Sequence, residues 1–247
     1  MIPYSTDPIP ALTTSQMVEV DRAMMEDYHI DLIQMMENAG RNLAHLARER
    51  FLDGDPRGRK VIVLAGTGGN GGGAFVCARR LHNYGADVRV FITRPDEAFS
   101  PVPGHQLAIL RRMAVPVSLA ETIAVEERSD VIIDGIIGYS LRGRPRGTSA
   151  HLIQWANRQE TPILALDTPS GLDTTTGIAY EPAIRAIATM TLALPKTGLL
   201  TEQATPYVGE LYLADIGVPP TLYANATLQL TVGPIFATND IVRIRSK

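Results

Sequence analysis

Cysteine is nearly absent from this chain: Cys77 is the only one among 247 residues. No disulfide can form within the chain, and a reducing, cytoplasmic setting fits that usage. Long apolar runs are absent as well. None approaches the roughly 20 residues that cross a bilayer, so no membrane partner is expected. The opening "MIPYSTDPIPALTTSQ" has no basic stretch followed by an apolar one and is not read as a signal peptide. Its Pro-rich first ten residues read as a loose arm. An excess of positive charge is missing too. The net charge of -3 gives no reason to expect nucleic acid as a partner. His29, His45, His82, His105 and His151 have no metal-ligand spacing and none ends an expected strand, which disfavours a zinc site or a His-based triad. There is no Gly-Lys-Ser/Thr phosphate loop, and Ser170, in "TPSG", lacks the first glycine of a nucleophile elbow.

What is present is ordinary globular composition, 45% hydrophobic and 20% charged, without repeats or a shift that would divide residues 1–247 into two domains. Thr13 to Gln16 reads as a capping box opening a helix. Asp31 opens a second, along which Leu32, Met35, Met36, Ala39, Leu43 and Leu46 recur at helical spacing, a stripe for the core or for a partner chain. Short apolar runs then alternate with helical patterns. Strands are expected at 61–65, 88–92, 115–119, 131–133, 163–166, 188–194 and 210–213; helices at 74–84, 104–113 and 151–158. Residues 228–232 and 241–244 read as an added hairpin or edge piece. This alternation predicts an α/β fold, a Rossmann-like three-layer αβα sandwich with a mostly parallel central sheet. Cys77, inside the 74–84 helix, reads as a small buried residue.

Ligands of such sheets bind beyond the carboxyl ends of the strands. After the first strand comes "GTGGNGGGAF" (66–75), a stretch almost bare of side chains. Bare backbone lets a ligand approach closely, and amides at a helix start attract phosphate. Gly66-x-Gly68-x-x-Gly71 also matches the dinucleotide fingerprint, a weak signal in so glycine-rich a stretch. A tight strand-to-helix turn is its ordinary reading. Asp134 and Asp167 follow two other strands. Capping or loop hydrogen bonding is the ordinary role there. On one sheet edge with Asn70 and Ser170, they also suit a hard cation, a ribose hydroxyl or proton transfer. Arg142, Arg144 and Arg146 can hold phosphates or form a solvated loop. Lys196 is equally open.

Six stretches together are more specific: "MMENAG" (35–40), "GTGGNGGGAFVCARRL" (66–81), "DVIIDGIIGYSLRG" (130–143), "LALDTPSGLDTTTG" (164–177), "TMTLALPKTGL" (189–199) and "GELYLADIGVP" (209–219). In this order the chain resembles the NAD(P)H-hydrate epimerases, the YjeF N-terminal domain family, over about residues 12–219. Residues 220–247 form a C-terminal extension outside the likeness. The resemblance implies a homodimer that interconverts the R and S forms of hydrated NADH and NADPH, a metabolite repair in which the hydroxyl sits on C6 of the reduced nicotinamide ring. It implies a potassium ion on Asn70, Asp134 and Ser170. It implies substrate contacts at Gly69, Asn70, Gly71, Gly72, Gly73, Gly138, Tyr139, Ser140, Leu141, Arg142, Gly143, Arg144 and Asp167, with Asp167 or Lys196 handling protons. The loop departs from the family's usual G-x-G-N-N-G-G-D-G: Gly69 stands for the first Asn, Gly73 for the Asp and Ala74 for the last Gly.

Three readings follow. The first is an active epimerase. The second is a diverged member without epimerase activity, either a nucleotide- or partner-binding protein or an isomerase or cyclase for another small molecule, favoured by the lost acid at Gly73. The third is a nicotinamide-dependent dehydrogenase, whose ribose-binding acid should end the second strand; Arg94 and Asp96 meet that pattern only in part.

Overall fold

The computed structural model describes residues 2–5 and 8–245. Its sheet has the order β3-β2-β1-β4-β5-β6-β7-β8, with β1 Lys60–Ala65, β2 Asp87–Ile92, β3 Val117–Leu119, β4 Val131–Gly135, β5 Ile163–Leu166, β6 Ala188–Leu192, β7 Glu210–Ala214 and β8 Ile241–Arg243. All neighbours pair in parallel except β7 with β8. Side chains alternate across each strand and so feed two cores. Val61, Val63, Val131 and Ile133 pack under α1 Thr14–Glu26, α2 Leu32–Phe51, α3 Gly69–Asn83 and α4 Pro101–Arg112. Ile62, Leu64, Ile132 and Ala165 pack against α5 Gly147–Arg158 through Leu152, Ile153 and Trp155. These are the three expected layers. Among the described residues no helix is long and apolar enough to cross a membrane.

The capping box forms as expected: the Gln16 amide donates to Thr13 Oγ1 and the Thr13 amide donates to Gln16 Oε1 at 2.9 Å. Gly85, at φ +92°, ends the turn after α3, where a left-handed residue favours glycine.

Three expectations are corrected. First, α3 begins at Gly69 rather than Ala74. Glycine is a poor helix former, but here contact outweighs propensity. A Cβ on Gly71 would lie 1.8 Å from the Gly66 carbonyl oxygen, and one on Gly72 would lie 2.6 Å from Met36 Sδ. The bare stretch is therefore the first turns of a helix pressed against its neighbours. Second, residues 228–232 form no strand; Leu228 is buried in the main core and the Leu230 amide donates to the Tyr223 carbonyl. Only β8 adds to the edge, so there is no hairpin. Third, the described part of the N-terminal arm is tied down. The Ser5 amide donates to the Arg243 carbonyl and the Arg243 amide to the Pro3 carbonyl, while the Arg243 and Arg245 guanidiniums stack on Tyr4. The strand edge at β8 supplies backbone partners that composition alone does not reveal.

Several boundaries also move. α5 starts at Gly147 instead of His151 and α4 at Pro101 instead of Gly104; proline fits a first helical turn, where its amide would be unpaired. β3 is shorter than expected, and β6 stops at Leu192 because Ala193 turns to φ +61°.

Candidate active site

The strand order reverses between β1 and β4, and a cavity of about 790 Å³ opens at their carboxyl ends, the place such sheets keep for ligands. The turn after β1 supplies Gly66, Thr67, Gly68, Gly69, Asn70 and Gly73. The end of β2 supplies Thr93 and Arg94, the loop after β4 Ile136 to Ser140, and the end of β5 Leu166 and Asp167. The start of α5 adds Arg146, Gly147, Thr148 and Ser149, and α1 and α2 close one side with Met17, Asp21, Met25, Met35 and Met36. The methionine stripe thus packs into the core and against the cavity, with Met36 also resting on Gly72.

The amino ends of α3 and α5 both face this space, with Arg94 and Arg146 beside them. Unpaired helix amides carry a partial positive charge, and guanidiniums bind phosphate oxygens in pairs, so the arrangement suits a pyrophosphate.

Asp167 lies at the end of β5 with φ +65°, and its carboxylate is ion-paired with Lys196. Both are buried. The Lys196 ammonium also donates to Thr191 Oγ1 at 3.3 Å and to the Leu192 carbonyl at 2.9 Å. Its three N–H directions are all engaged, and it does not line the cavity. Lys196 is thus held against Asp167, Thr191 and Leu192 behind the cavity wall.

Asp134 is not beyond its strand, as expected, but inside β4, opposite Leu64 and Ala165. It accepts from the Ser170 amide at 2.8 Å, the Ser170 hydroxyl at 2.6 Å and the Ile136 amide at 3.2 Å. Burial pushes its pKa up to about 6 against these bonds, and among the described residues no cation pairs with it. Asn70 donates Nδ2 to the Leu166 carbonyl at 2.8 Å, and its Oδ1 lies against Gly138. Asn70 lines the cavity; Asp134 and Ser170 lie behind the wall.

Of the expected substrate contacts, Gly69, Asn70, Gly73, Gly138, Tyr139, Ser140 and Asp167 line the cavity. Gly71 and Gly72 are buried behind it, and Leu141, Arg142, Gly143 and Arg144 lie outside the lining. Arg146 and the start of α5 also line the cavity. Asp96 is held by Arg111 at 2.8 and 3.1 Å, and neither it nor Glu97 lines the cavity, against the dehydrogenase reading. Sequence reasoning passed over Asp21. Its i, i+4 spacing from Met17 and to Met25 was the available signal, because it puts an acid on the cavity face of α1.

The family model for the YjeF-related protein N-terminus matches residues 32–198. An NAD(P)H-hydrate epimerase of Dehalogenimonas lykanthroporepellens is 43% identical over 233 residues, 93% of this chain and 91% of the relative. A bifunctional NAD(P)H-hydrate repair enzyme Nnr of Moorella thermoacetica is 34% identical over 86% of this chain, and the chain spans 41% of that enzyme. The crystal structure of the yeast protein YNL200c superposes with a TM-score of 0.80 at 25% identity, covering 95% of this chain and all of that one.

Proposed function

This chain belongs to the family of the YjeF-related protein N-terminus, and from that premise we propose that it is an NAD(P)H-hydrate epimerase. Its substrate is then hydrated NADH or NADPH, and its reaction a metabolite repair. The observation that carries the reading is Asp167, a carboxylate held by Lys196 at the wall of a cavity whose two helix amino ends and two arginines suit a dinucleotide pyrophosphate. Exchange of the C6 hydroxyl from one ring face to the other needs a proton given and a proton taken, and Asp167 is placed to do one of these. The test is R-to-S interconversion of hydrated NADH by the pure protein with potassium present, followed by chromatography. Turnover well above the spontaneous rate is expected. An inert protein would instead favour a diverged member acting on another ligand, the reading to which the acid-free wall at Gly73 points.

The potassium ion belongs to the same proposal. The residues fit it. Among the described residues, Asp134 is a buried carboxylate without a counter-charge and the Thr168 hydroxyl, one loop position from Asp167, is buried without a partner, while Asn70 Oδ1 and Ser170 Oγ are oxygen donors. Asn70, Asp134 and Ser170 would hold the ion, which would neutralise the buried carboxylate and tie together the turns after β1, β4 and β5. Potassium, at constant ionic strength against tetramethylammonium, is expected to raise the thermal midpoint. The stabilisation should reach about 2.7 kcal/mol at roughly a hundredfold excess over Kd. Asp134→Asn is expected to abolish the shift. Equal midpoints in the two salts would remove the ion from the account. The homodimer that the resemblance implies and the cytoplasmic setting that fits a single cysteine complete this reading.

A further inference from the structure

Two carboxylates, and only two among the described residues, line the cavity: Asp167 at the sheet edge and Asp21 on α1. α1 lies before residue 32, where the family match begins, so Asp21 is not supplied by that match. Its placement is nonetheless built. The Leu12 amide donates to the Pro195 carbonyl at 2.8 Å and the Thr197 amide donates back to the Leu12 carbonyl at 2.8 Å, which stitches the segment entering α1 to the loop that carries Lys196. At the start of α1, Thr14 Oγ1 bonds Thr174 and Thr175 at 2.8 and 2.7 Å. At the cavity, the Tyr139 hydroxyl donates to Asp21 Oδ2. No salt bridge reaches Asp21 among the described residues, whereas Asp167 has the ammonium of Lys196.

Resting on the epimerase reading, we infer that Asp21, oriented by Tyr139, is the second proton-transfer group of the site and serves the ring face opposite to Asp167. A single carboxylate reaches one face of a planar intermediate; inversion at C6 needs a donor on one side and an acceptor on the other. In one direction the C6–O bond breaks and its electron pair leaves with oxygen, which takes the proton of the Asp21 carboxyl and departs as water. The ring nitrogen lone pair forms the C6=N bond. A water molecule then adds to the other face: its oxygen forms the new C6–O bond, the C=N pair returns to nitrogen, and its proton passes to Asp167. Exchange with solvent returns the proton to Asp21. The reverse direction exchanges the two roles.

The environments agree with this division. Burial raises the pKa of Asp21 above the usual carboxylate range; the bond from Tyr139 and the charge of Lys196 oppose this, and the charge of Asp167 adds to it. A buried carboxyl without a cation beside one paired with Lys196 is the arrangement of an acid and base pair. The titratable groups that face Asp21 from the surrounding elements are Tyr139, Asp167, Lys196 and Tyr223 of the short helix Pro220–Tyr223.

The test measures R-to-S interconversion of hydrated NADH by wild type, Asp21→Asn, Asp21→Glu and Tyr139→Phe across pH, with thermal unfolding of each. Asp21→Asn is expected to lower kcat about 100-fold or more, within the range for a lost general acid. KM should stay within about threefold, since the lost contact acts in the transition state. Wild-type kcat/KM should fall as pH rises through the Asp21 pKa, because the protonated form is the active one. Asp21→Asn should lack that limb, and Asp21→Glu should restore part of the rate and the limb. Tyr139→Phe should shift the limb and lower the rate by less than Asp21→Asn does. A purely structural role would move the unfolding midpoint and leave the limb in place. Wild-type kcat and pH profile in Asp21→Asn would overturn the inference and leave the epimerase reading standing, as would a rise in KM alone. If Asp21→Asn does not fold, an unchanged limb in Tyr139→Phe would overturn it. An inert wild type would overturn both.

Discussion

Lys196→Met is expected to lower stability by about 3–5 kcal/mol, the cost of leaving one partner of a buried ion pair alone. Lys196 is fully buried, and Asp167 would keep only a 3.5 Å contact from Thr191 Oγ1. At a few degrees per kcal/mol for a chain of this size, the thermal midpoint should fall by about 10 °C. The activity should fall with it, by roughly 100-fold, because the ammonium holds Asp167 in a left-handed backbone conformation (φ +65°) at the cavity wall. Three bonds from one ammonium, to Asp167, Thr191 and the Leu192 carbonyl, tie the end of β5 to the end of β6. The double variant Asp167→Asn/Lys196→Met removes both charges and should be more stable than Lys196→Met alone. Urea unfolding of the three proteins decides this. A single variant as stable as wild type would mean that water reaches the pair and that the two side chains contribute little.

Gly71→Ala is expected to cost about 3 kcal/mol or more, at or beyond the upper end of overpacking in a close-packed interior. The new Cβ would sit 1.8 Å from the Gly66 carbonyl oxygen, a backbone atom of the turn that feeds α3. That turn is itself pinned, since a Cβ on Gly66 would lie 1.9 Å from the Ile136 carbonyl oxygen. Neither backbone can retreat without opening the contact between β1 and β4. Gly73→Ala is the control. Its Cβ would meet only the terminal Cδ2 of Leu166 at 2.9 Å and Ala39 Cβ at 3.8 Å. A leucine methyl can turn aside, and replacing glycine in a helix returns roughly 0.5–1 kcal/mol, so this variant should stay within about 1 kcal/mol of wild type. Unfolding midpoints in urea separate the two outcomes; equal stability of both variants would contradict the packing argument. The same space explains how the family's acid can be absent at position 73 without disturbing the helix: Gly73 faces the cavity, whereas Gly71 faces backbone.

Much of the architecture was legible in the residues. The apolar runs at 61–65, 131–133 and 163–166 lie in parallel strands, and their carboxyl ends meet at one cavity. Alternation of helices and strands fixed that edge before any coordinates, because a parallel sheet with right-handed crossovers brings successive strand ends together. The order of motifs pointed to the family that the comparisons support. Other features lay beyond this reading. The helical state of Gly69 to Gly73 contradicts local propensity and follows from close contact with Gly66 and Met36. The burial of Asp134 within β4, rather than beyond it, depends on the register with Leu64 and Ala165. The fixing of the N-terminal arm depends on β8, a strand more than 200 residues away in sequence. Lys196 moved from a possible proton carrier to a group with every N–H engaged, and Asp21 moved from an unmarked helical acid to the cavity wall.

Residue patterns along the chain set the layers, the sheet edge that carries the cavity, and the family. These rest on periodicity and on short motifs, which act over a few residues. Which acids share the cavity, and which of them meets a cation, emerges from packing between distant segments. Burial, pairing and access are set by groups far apart in the chain, such as Asp21 with Tyr139 and Asp167 with Lys196. No local pattern encodes that distance.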